Sequence, residues 1–420
     1  MLLSMSSQNV IQYLQEAGLC CSEDGASNKY ELLNSSQHNL NLLVTLAGNQ
    51  KLLVKQKRHI EEHDGTPHEF FNEWLFHQLL QQFPVLGNTS AMALPAAGIA
   101  PLILHFDESN SLIVRNYFSE YSELGGFYRQ NDIFPPEIAT AIGTTLAELH
   151  RATFEQREYR NFMATAPEGQ FRYSFYNPAQ GVDSISPEIF GTVPTEALKF
   201  YRLYQGYESL ESAIADLAYE WQPCCLTHND LNLNNILIHS RWDQLDNCLI
   251  KLIDWEACGW GDPAFDLGTL IASYLGIWLS SLVVDPTIKL EESLHLAMTP
   301  LEVLQPSLLA LIRAYLNAFP MILEYRSDFI VRIIQFTGLA LINQIQETIK
   351  VRKYFGNHDI CMLQIAKNLL TIPEQSVLSI FGVSEDKIVN PLANIHKFPQ
   401  PKKAQQLVPL YYEKTRLRGC

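Results

Sequence analysis

The hydrophobic period changes partway along the 420-residue chain, and that change limits the fold more than any other feature. Up to about residue 117 the apolar residues fall in short β-rich runs. Leu40–Leu46 and Lys51–Lys55 flank Ala47-Gly48-Asn49-Gln50, a connection whose Gly and Asn tolerate the positive φ of a hairpin turn. Tyr30–Leu33, Leu102–Phe106 and Leu112–Tyr117 read as further strands. Residues 1–22 read as a short helix, and His68–Phe83 as another with Phe71, Leu75 and Leu79 on one stripe. After Pro135-Pro136 the spacing becomes helical, over Glu137–His150, Thr195–Glu220, Leu267–Val284, Pro306–Ala318, Asp328–Lys350 and His358–Leu370. Only two short strands interrupt it, Asn235–His239 and Cys248–Asp254. Strands segregated from a long run of helices make an α+β chain. The boundaries read as 1–118 for a sheet-bearing lobe and 119–372 for a helical lobe with a Pro-, Gly-, Ser- and aromatic-rich insertion near 160–195. Residues 373–420 read as a C-terminal extension, irregular from about Glu385 and carrying Pro391, Pro399, Pro401 and Pro409.

Composition excludes several function classes. With 47% hydrophobic and 18% charged residues the chain has apolar material for a sizeable core and is not a disordered one. Lys+Arg 30 against Asp+Glu 45 gives a formal charge of −15 with no long basic run, which argues against a nucleic-acid partner. Eight cysteines without a C-x-x-C pair read as reduced thiols of a cytoplasmic protein. The beginning of the chain lacks a basic n-region and a continuous apolar run, so no secretory signal is expected there. The uncharged run Leu267–Val284 approaches the length of a membrane span, but Asp266 and Asp285 flank it and it reads as a buried helix, with no membrane partner. The pattern leaves the oligomeric state open.

The chemistry is concentrated in residues 226–268. LTHNDLNLNNILIH contains H-x-D-x-x-x-x-N as His228, Asp230 and Asn235, and CLIKLIDWEACGWGDPAFDLG places Asp254 at the end of an apolar strand. Phosphoryl transfer needs such a set. One carboxylate must sit beside the attacking hydroxyl and accept its proton, which suits Asp230. Another carboxylate and an amide oxygen must hold Mg²⁺ on nucleotide phosphates, which suits Asp254 and Asn235. Any one of these residues alone is as well read as a turn or strand cap, but the compound spacing is specific. His59, His63 and His68 lie among Gly65 and Pro67 and read as a solvated loop, and Trp242, Trp255 and Trp260 as core.

These segments resemble the aminoglycoside phosphotransferase and choline kinase family of small-molecule kinases. The likeness is carried by His228-Asn229-Asp230, Asn235-Ile236-Leu237, Ile253-Asp254-Trp255-Glu256 and Gly261-Asp262-Pro263 with Asp266-Leu267. It is sharp over 226–268 and faint elsewhere. It implies a bilobal protein-kinase-like fold, with a small antiparallel-sheet N-lobe that binds nucleotide and a larger helical lobe. It also implies ATP and Mg²⁺ as cofactors and a small-molecule hydroxyl acceptor. It implies a strand Lys for the nucleotide phosphates, best met by Lys55 with Lys51 and Lys57 nearby, and a helix Glu to hold it, best met by Glu73 with Glu69 as second choice. The loop 34–39 has no glycine, and Asn39 matches a loop Asn of the family. Leu112–Tyr117 would connect the lobes, with the backbone of Arg115, Asn116 and Tyr117 pairing with adenine. Asn232 stands where many relatives have His, a change that removes no required catalytic group. Asp266 and His228 read as bracing groups for the catalytic loop. Phe171, Tyr173, Phe175 and Tyr176 of the insertion are candidates to frame an organic acceptor such as an amino-sugar or amino-alcohol.

A nucleotide-binding pseudokinase or scaffold of the same fold is the competing reading, prompted by the glycine-free loop. The intact Asp230, Asn235 and Asp254 set speaks against it. A protein kinase would need D-F-G and a long activation segment, but Trp-Glu follows Asp254 and Asp266 comes too soon.

Overall fold

The protein is described from a computed structural model covering residues 4–21, 29–33, 39–57, 69–83, 99–165, 175–180, 195–245, 249–283 and 296–389. The expectations for residues 34–38, for His59, His63 and His68, for Phe171 and Tyr173, and for the tail from 390 onward lie outside the described residues.

Alternation of side chains along extended strands builds the first lobe. Strands β1 (Lys29–Leu33), β2 (Asn39–Thr45), β3 (Lys51–Lys57), β4 (Ile103–Asp107) and β5 (Leu112–Asn116) form one antiparallel sheet in the order β1-β2-β3-β5-β4. The β2–β3 turn is closed by the Leu46 N–H donating to the Gln50 carbonyl at 2.8 Å, and its Gly48 and Asn49 have φ of 83° and 68°. Leu42, Val44, Leu52, Val54, Leu112 and Val114 share one face of the sheet. They bury it against Val10, Tyr13 and Leu14 of helix α1 (Val10–Glu16). The opposite face turns toward helix α2 (Glu69–Gln82), where Phe70 packs with Ile103 and Ile113. Lys55 and Arg115 fall on that second face. Lys55 pairs with Ile113 and Arg115 with Leu53, so the two cations are diagonal neighbours across β3 and β5.

The chain then passes through β6 (Tyr121–Glu123), α3 (Leu124–Asn131), α4 (Pro136–Thr153) and α5 (Arg157–Met163). The region expected as one helix from Thr195 to Glu220 is two, α6 (Thr195–Tyr204) and α7 (Glu208–Tyr219). They break around Gly206, a poor helix former. Four short strands follow: β7 (Cys225–Thr227), β8 (Ile236–His239), β9 (Ile250–Leu252) and β10 (Gly259–Gly261). β9 pairs with β8, β8 with β6, and β10 with β7, all antiparallel. The uncharged run seen in the sequence lies, as far as Ser280, in α8 (Pro263–Ser280), which Asp262 caps by accepting from the Ala264 N–H at 3.0 Å. Most of α8 is buried in the lobe core.

Helices α9 (Leu301–Ala318), α11 (Phe329–Arg352) and α12 (Asn357–Thr371) complete the expected helical set, and the short α10 (Met321–Tyr325), not expected from the sequence, lies between α9 and α11. α9 starts five residues before Pro306, which the sequence had suggested as its first residue, because Leu301 and Leu304 already reach the core. Among the described residues α11 alone is long and apolar enough to cross a membrane by length and composition, and it is packed in the lobe core. Helical packing continues past residue 372. Helices α13 (Pro373–Phe381) and α14 (Glu385–Val389) bury Val377, Ile380, Phe381 and Ile388 in the same core. The segment from 373 to 389 therefore belongs to the helical lobe, and the irregular reading from Glu385 is corrected by α14. Its apolar residues are few and had no long periodic run to announce them.

Helices α4 and α9 cross closely where Gly143 meets the α9 backbone; a Cβ at residue 143 would collide with the Leu311 carbonyl oxygen. Alanine raises helix propensity by about 1 kcal/mol over glycine, but backbone overlap cannot be relieved by a rotamer change. Gly143→Ala is therefore expected to lower stability by roughly 1–3 kcal/mol, the range for overpacked cores, read by urea or thermal unfolding.

Candidate active site

The site forms where the second face of the sheet and α2 meet the loops around β7, β8 and β9. Its catalytic loop runs from the end of β7 to the start of β8 and is held from below by Asp266. The Asp266 carboxylate accepts from the His228 N–H at 2.7 Å and from the Asn229 N–H at 2.8 Å. Asn229 has a φ of 64°, a conformation Asn accepts more readily than most residues. Asp266 is fully buried in the first turn of α8 and is itself met by His150 Nε2 at 3.2 Å. The other nitrogen of His150 reaches the Tyr315 hydroxyl at 2.9 Å. His228 Nε2 donates to the Ile253 carbonyl at 2.9 Å, which ties the catalytic loop to the residue before Asp254. Both residues thus brace the loop by hydrogen bonding, as their positions suggested. The N-terminus of α8 is capped by Asp262, which leaves the Asp266 carboxylate for the loop.

Asp230 and Asn235 stand together. Asn235 Nδ2 donates to the Asp230 carbonyl at 2.8 Å and to its carboxylate at 3.0 Å. Asn232 donates to the same Asp230 carbonyl at 3.2 Å, so the Asn found where relatives have His serves the turn itself. Burial pushes the Asp230 carboxyl above the ordinary aspartate range; His228 and the Asn235 hydrogen bond pull against this, and Asp254 adds to it.

Asp254 follows β9 in the left-handed region, with φ 61° and ψ 59°. Its Oδ1 receives Lys55 Nζ at 3.1 Å and an Arg115 terminal nitrogen at 3.4 Å. Burial alone would raise the Asp254 carboxyl, but Lys55 and Arg115 outweigh it and hold it at about 2. Burial likewise works against the Lys55 ammonium, yet Asp254, Glu73 and Glu256 keep its pKa above the usual lysine value. Lys55 lies 3.4 Å from Glu256 and 3.9 Å from Glu73. Arg115 comes nearer to Glu73, at 3.3 Å. Lys55, Arg115 and Glu73 are all buried, with side chains only 4–6% exposed, whereas Asp254 is 30% exposed and opens toward solvent.

α2 is bound to the same region. Phe76 stacks on Trp255 with ring centroids 3.9 Å apart, and Trp255 lies against His228. Asn72 donates to the Glu256 carbonyl at 2.9 Å. The structure thus brings Asp230, Asn235, Asp254, Lys55 and Glu73 to one place. It does not do so for the others. Asn39 is the first residue of β2, opposite Lys57. The Asn116 N–H donates to the Leu102 carbonyl and the Tyr117 N–H to the Lys51 carbonyl, both at 3.1 Å, while Arg115 pairs within the sheet on both sides. The Asn116 and Tyr117 N–H groups are committed to the sheet, so the adenine pairing expected of this backbone is not made through them. Arg115 enters the site by its side chain instead. Sequence reasoning missed that role and the role of Glu256, although Glu256 lay within the quoted Ile-Asp-Trp-Glu motif. A charged residue in an otherwise apolar strand was the available signal for Arg115.

The oxygen donors that remain suit a hard divalent cation. Asn235 uses Nδ2 on Asp230, which leaves its Oδ1, and Asp254 uses Oδ1 on the cations, which leaves its Oδ2. Among the described residues no group of three or more His, Cys, Asp or Glu forms a closed metal cage.

A family model described as the phosphotransferase enzyme family matches residues 29–301, well over half of the chain, and the chain belongs to that family. It is a phosphotransferase enzyme acting on hydroxyl groups. No curated protein matches the chain in sequence. Among solved structures, Plasmodium vivax ethanolamine kinase is similar with a TM-score of 0.53 at 16% identity, over 87% of this chain and 90% of that one. The choline kinase LicA of Streptococcus pneumoniae gives 0.41 at 15%, over 82% and 93%. The macrolide 2'-phosphotransferase MphH of Brachybacterium faecium gives 0.44 at 13%, over 87% and 99%. The first of these likenesses agrees with a bilobal, protein-kinase-like α+β fold.

The depressed pKa of Asp254 has a consequence for the free protein. A carboxylate whose folded pKa lies below its unfolded value of about 3.9 contributes stability above that value and loses it as pH falls through the folded pKa. The stability difference between wild type and Asp254→Asn is expected to shrink as pH drops from about 4 toward 2, followed by thermal melts across that range. A difference independent of pH there would contradict the ion pairing described.

Proposed function

We propose that the chain transfers the γ-phosphoryl group of ATP to a hydroxyl of a small organic acceptor, with Mg²⁺ as cofactor. One observation carries this reading: Asp230, bracketed by Asn235, stands beside an ion cluster in which Lys55 meets Asp254, Glu73 and Glu256. In this reading Lys55 binds the nucleotide phosphates. Asp230 orients the acceptor hydroxyl and accepts its proton as the oxygen attacks phosphorus, and the bond to the departing diphosphate oxygen breaks. Asn235 and Asp254 would hold Mg²⁺, which when bound neutralises charge on the phosphate oxygens. The raised pKa of Asp230 suits a base that must capture a proton.

Asp230→Ala is expected to abolish turnover, by at least about a hundredfold on the usual scale for a general base, while ATP still binds. Asp254→Ala is expected to weaken Mg·ATP binding itself, measured by calorimetry. Turnover unchanged in Asp230→Ala with a confirmed acceptor would sink the assignment.

For the acceptor we favour a cationic amino-alcohol or amino-sugar. The chain carries a formal charge of −15, and one similar structure is an ethanolamine kinase. The insertion also reaches the site. A methyl group added at Gly259 would lie 3.8 Å from the Phe175 ring and 3.6 Å from Asn229, the neighbour of Asp230. Phe175→Ala is expected to raise the acceptor KM with little change in the KM for ATP, assayed by ATP consumption over a panel of hydroxylated amines and neutral sugars. Equal activity on amines and sugars would remove the preference for a cation.

A further inference from the structure

The proposed reaction gives no task to the Arg115 side chain, yet no other guanidinium among the described residues bridges α2 and the Asp254 turn. One terminal nitrogen lies 3.3 Å from Glu73 on α2 and the other 3.4 Å from Asp254 after β9. Glu73 is therefore held more closely by Arg115 than by Lys55, which lies 3.9 Å away. The support behind the guanidinium is stiff. β5 is an inner strand, paired with β3 on one side and β4 on the other, and the Arg115 side chain is 6% exposed. An arginine there stays charged and offers two directed donors; a lysine offers one point charge on a flexible stem.

Lys55 is differently placed. Its single ammonium has Asp254, Glu256 and Glu73 within 4 Å, and it is the group that must turn toward the nucleotide phosphates. As it turns, Asp254 Oδ1 loses one of its two donors while its backbone remains in the left-handed region. From this, and resting on the nucleotide and Mg²⁺ reading above, we propose that Arg115 is a positioning residue. Its fork keeps the Asp254 and Glu73 carboxylates in register when Lys55 is drawn to phosphate, so that Asp254 Oδ2 remains aimed at the divalent ion. Groups that orient a metal ligand in this way commonly matter as much to affinity as the ligand's own geometry.

The test measures binding of a non-hydrolysable ATP analogue by calorimetry, with Mg²⁺ and with EDTA. The proteins are wild type, Arg115→Lys, Arg115→Met, Asp254→Asn and the double variant Arg115→Lys/Asp254→Asn, each checked for folding by thermal melts. Arg115→Lys is expected to weaken Mg²⁺-dependent binding by about 10- to 100-fold and to leave binding in EDTA unchanged. Arg115→Met is expected to lose more; should it fail to fold, Arg115→Lys retains the charge and still decides the matter. In the Asp254→Asn background the Arg115 substitution is expected to have no further effect, because the carboxylate it acts through is gone. Equal losses with Mg²⁺ and with EDTA, or losses that simply add in the double variant, would overturn the positioning role. Wild type that binds no nucleotide would overturn the proposed function and this role with it. Wild type that binds while Arg115→Lys binds as tightly would overturn the role alone.

Discussion

The active end of the molecule depends on an ion cluster that joins four separate parts of the chain. Lys55 and Arg115 come from neighbouring strands of the sheet, Glu73 from α2, and Asp254 and Glu256 from the turn after β9. Burying charges of this kind is costly in itself, and removing one partner leaves an uncompensated charge at a cost of about 3–5 kcal/mol. The cluster therefore specifies an arrangement more than it adds net stability. Three carboxylates face two cations, so it is short of positive charge where a nucleotide phosphate and a divalent ion would meet. The overall acidity of the chain gives no hint of this; the local balance is set by which five side chains converge.

A second network, entirely within the helical lobe, supports the catalytic loop. Asp266 receives two consecutive backbone N–H groups, His150 meets Asp266, and Tyr315 meets His150. The left-handed Asn229 is thereby held in a backbone conformation that would otherwise be sparsely populated. Trp255 connects the two networks, stacked on Phe76 of α2 and lying against His228 of the loop. The helix that carries Glu73 and the loop that carries Asp230 are in this way parts of one packed unit.

The residues differ in how readable they were. Asp230, Asn235 and Asp254 lie within 25 residues of one another, and their types and spacing state a chemistry before any folding is known. Lys55 and Glu73 needed a strand and a helix, both of which had clear periodic patterns. Arg115 was singled out for its backbone, but the sheet engages that backbone on both sides and leaves the side chain to act. The helices beyond residue 372 were missed for a different reason. Local propensity is weak there, and contact with the rest of the lobe decides.

By itself the sequence determined the longer strands and helices and the two-part architecture, and it singled out candidate acid, amide and lysine groups. These follow from periodicity and from residue types at short separations, which the covalent chain sets directly. Only the tertiary structure decided that Lys55 and Arg115 share one face, that Arg115 bridges Glu73 and Asp254, and that Asp266 grips the catalytic loop. Each of those depends on strand register or on contacts between residues from 37 to more than 130 positions apart. Distances over such separations arise from the packing of whole elements, and no local pattern records them.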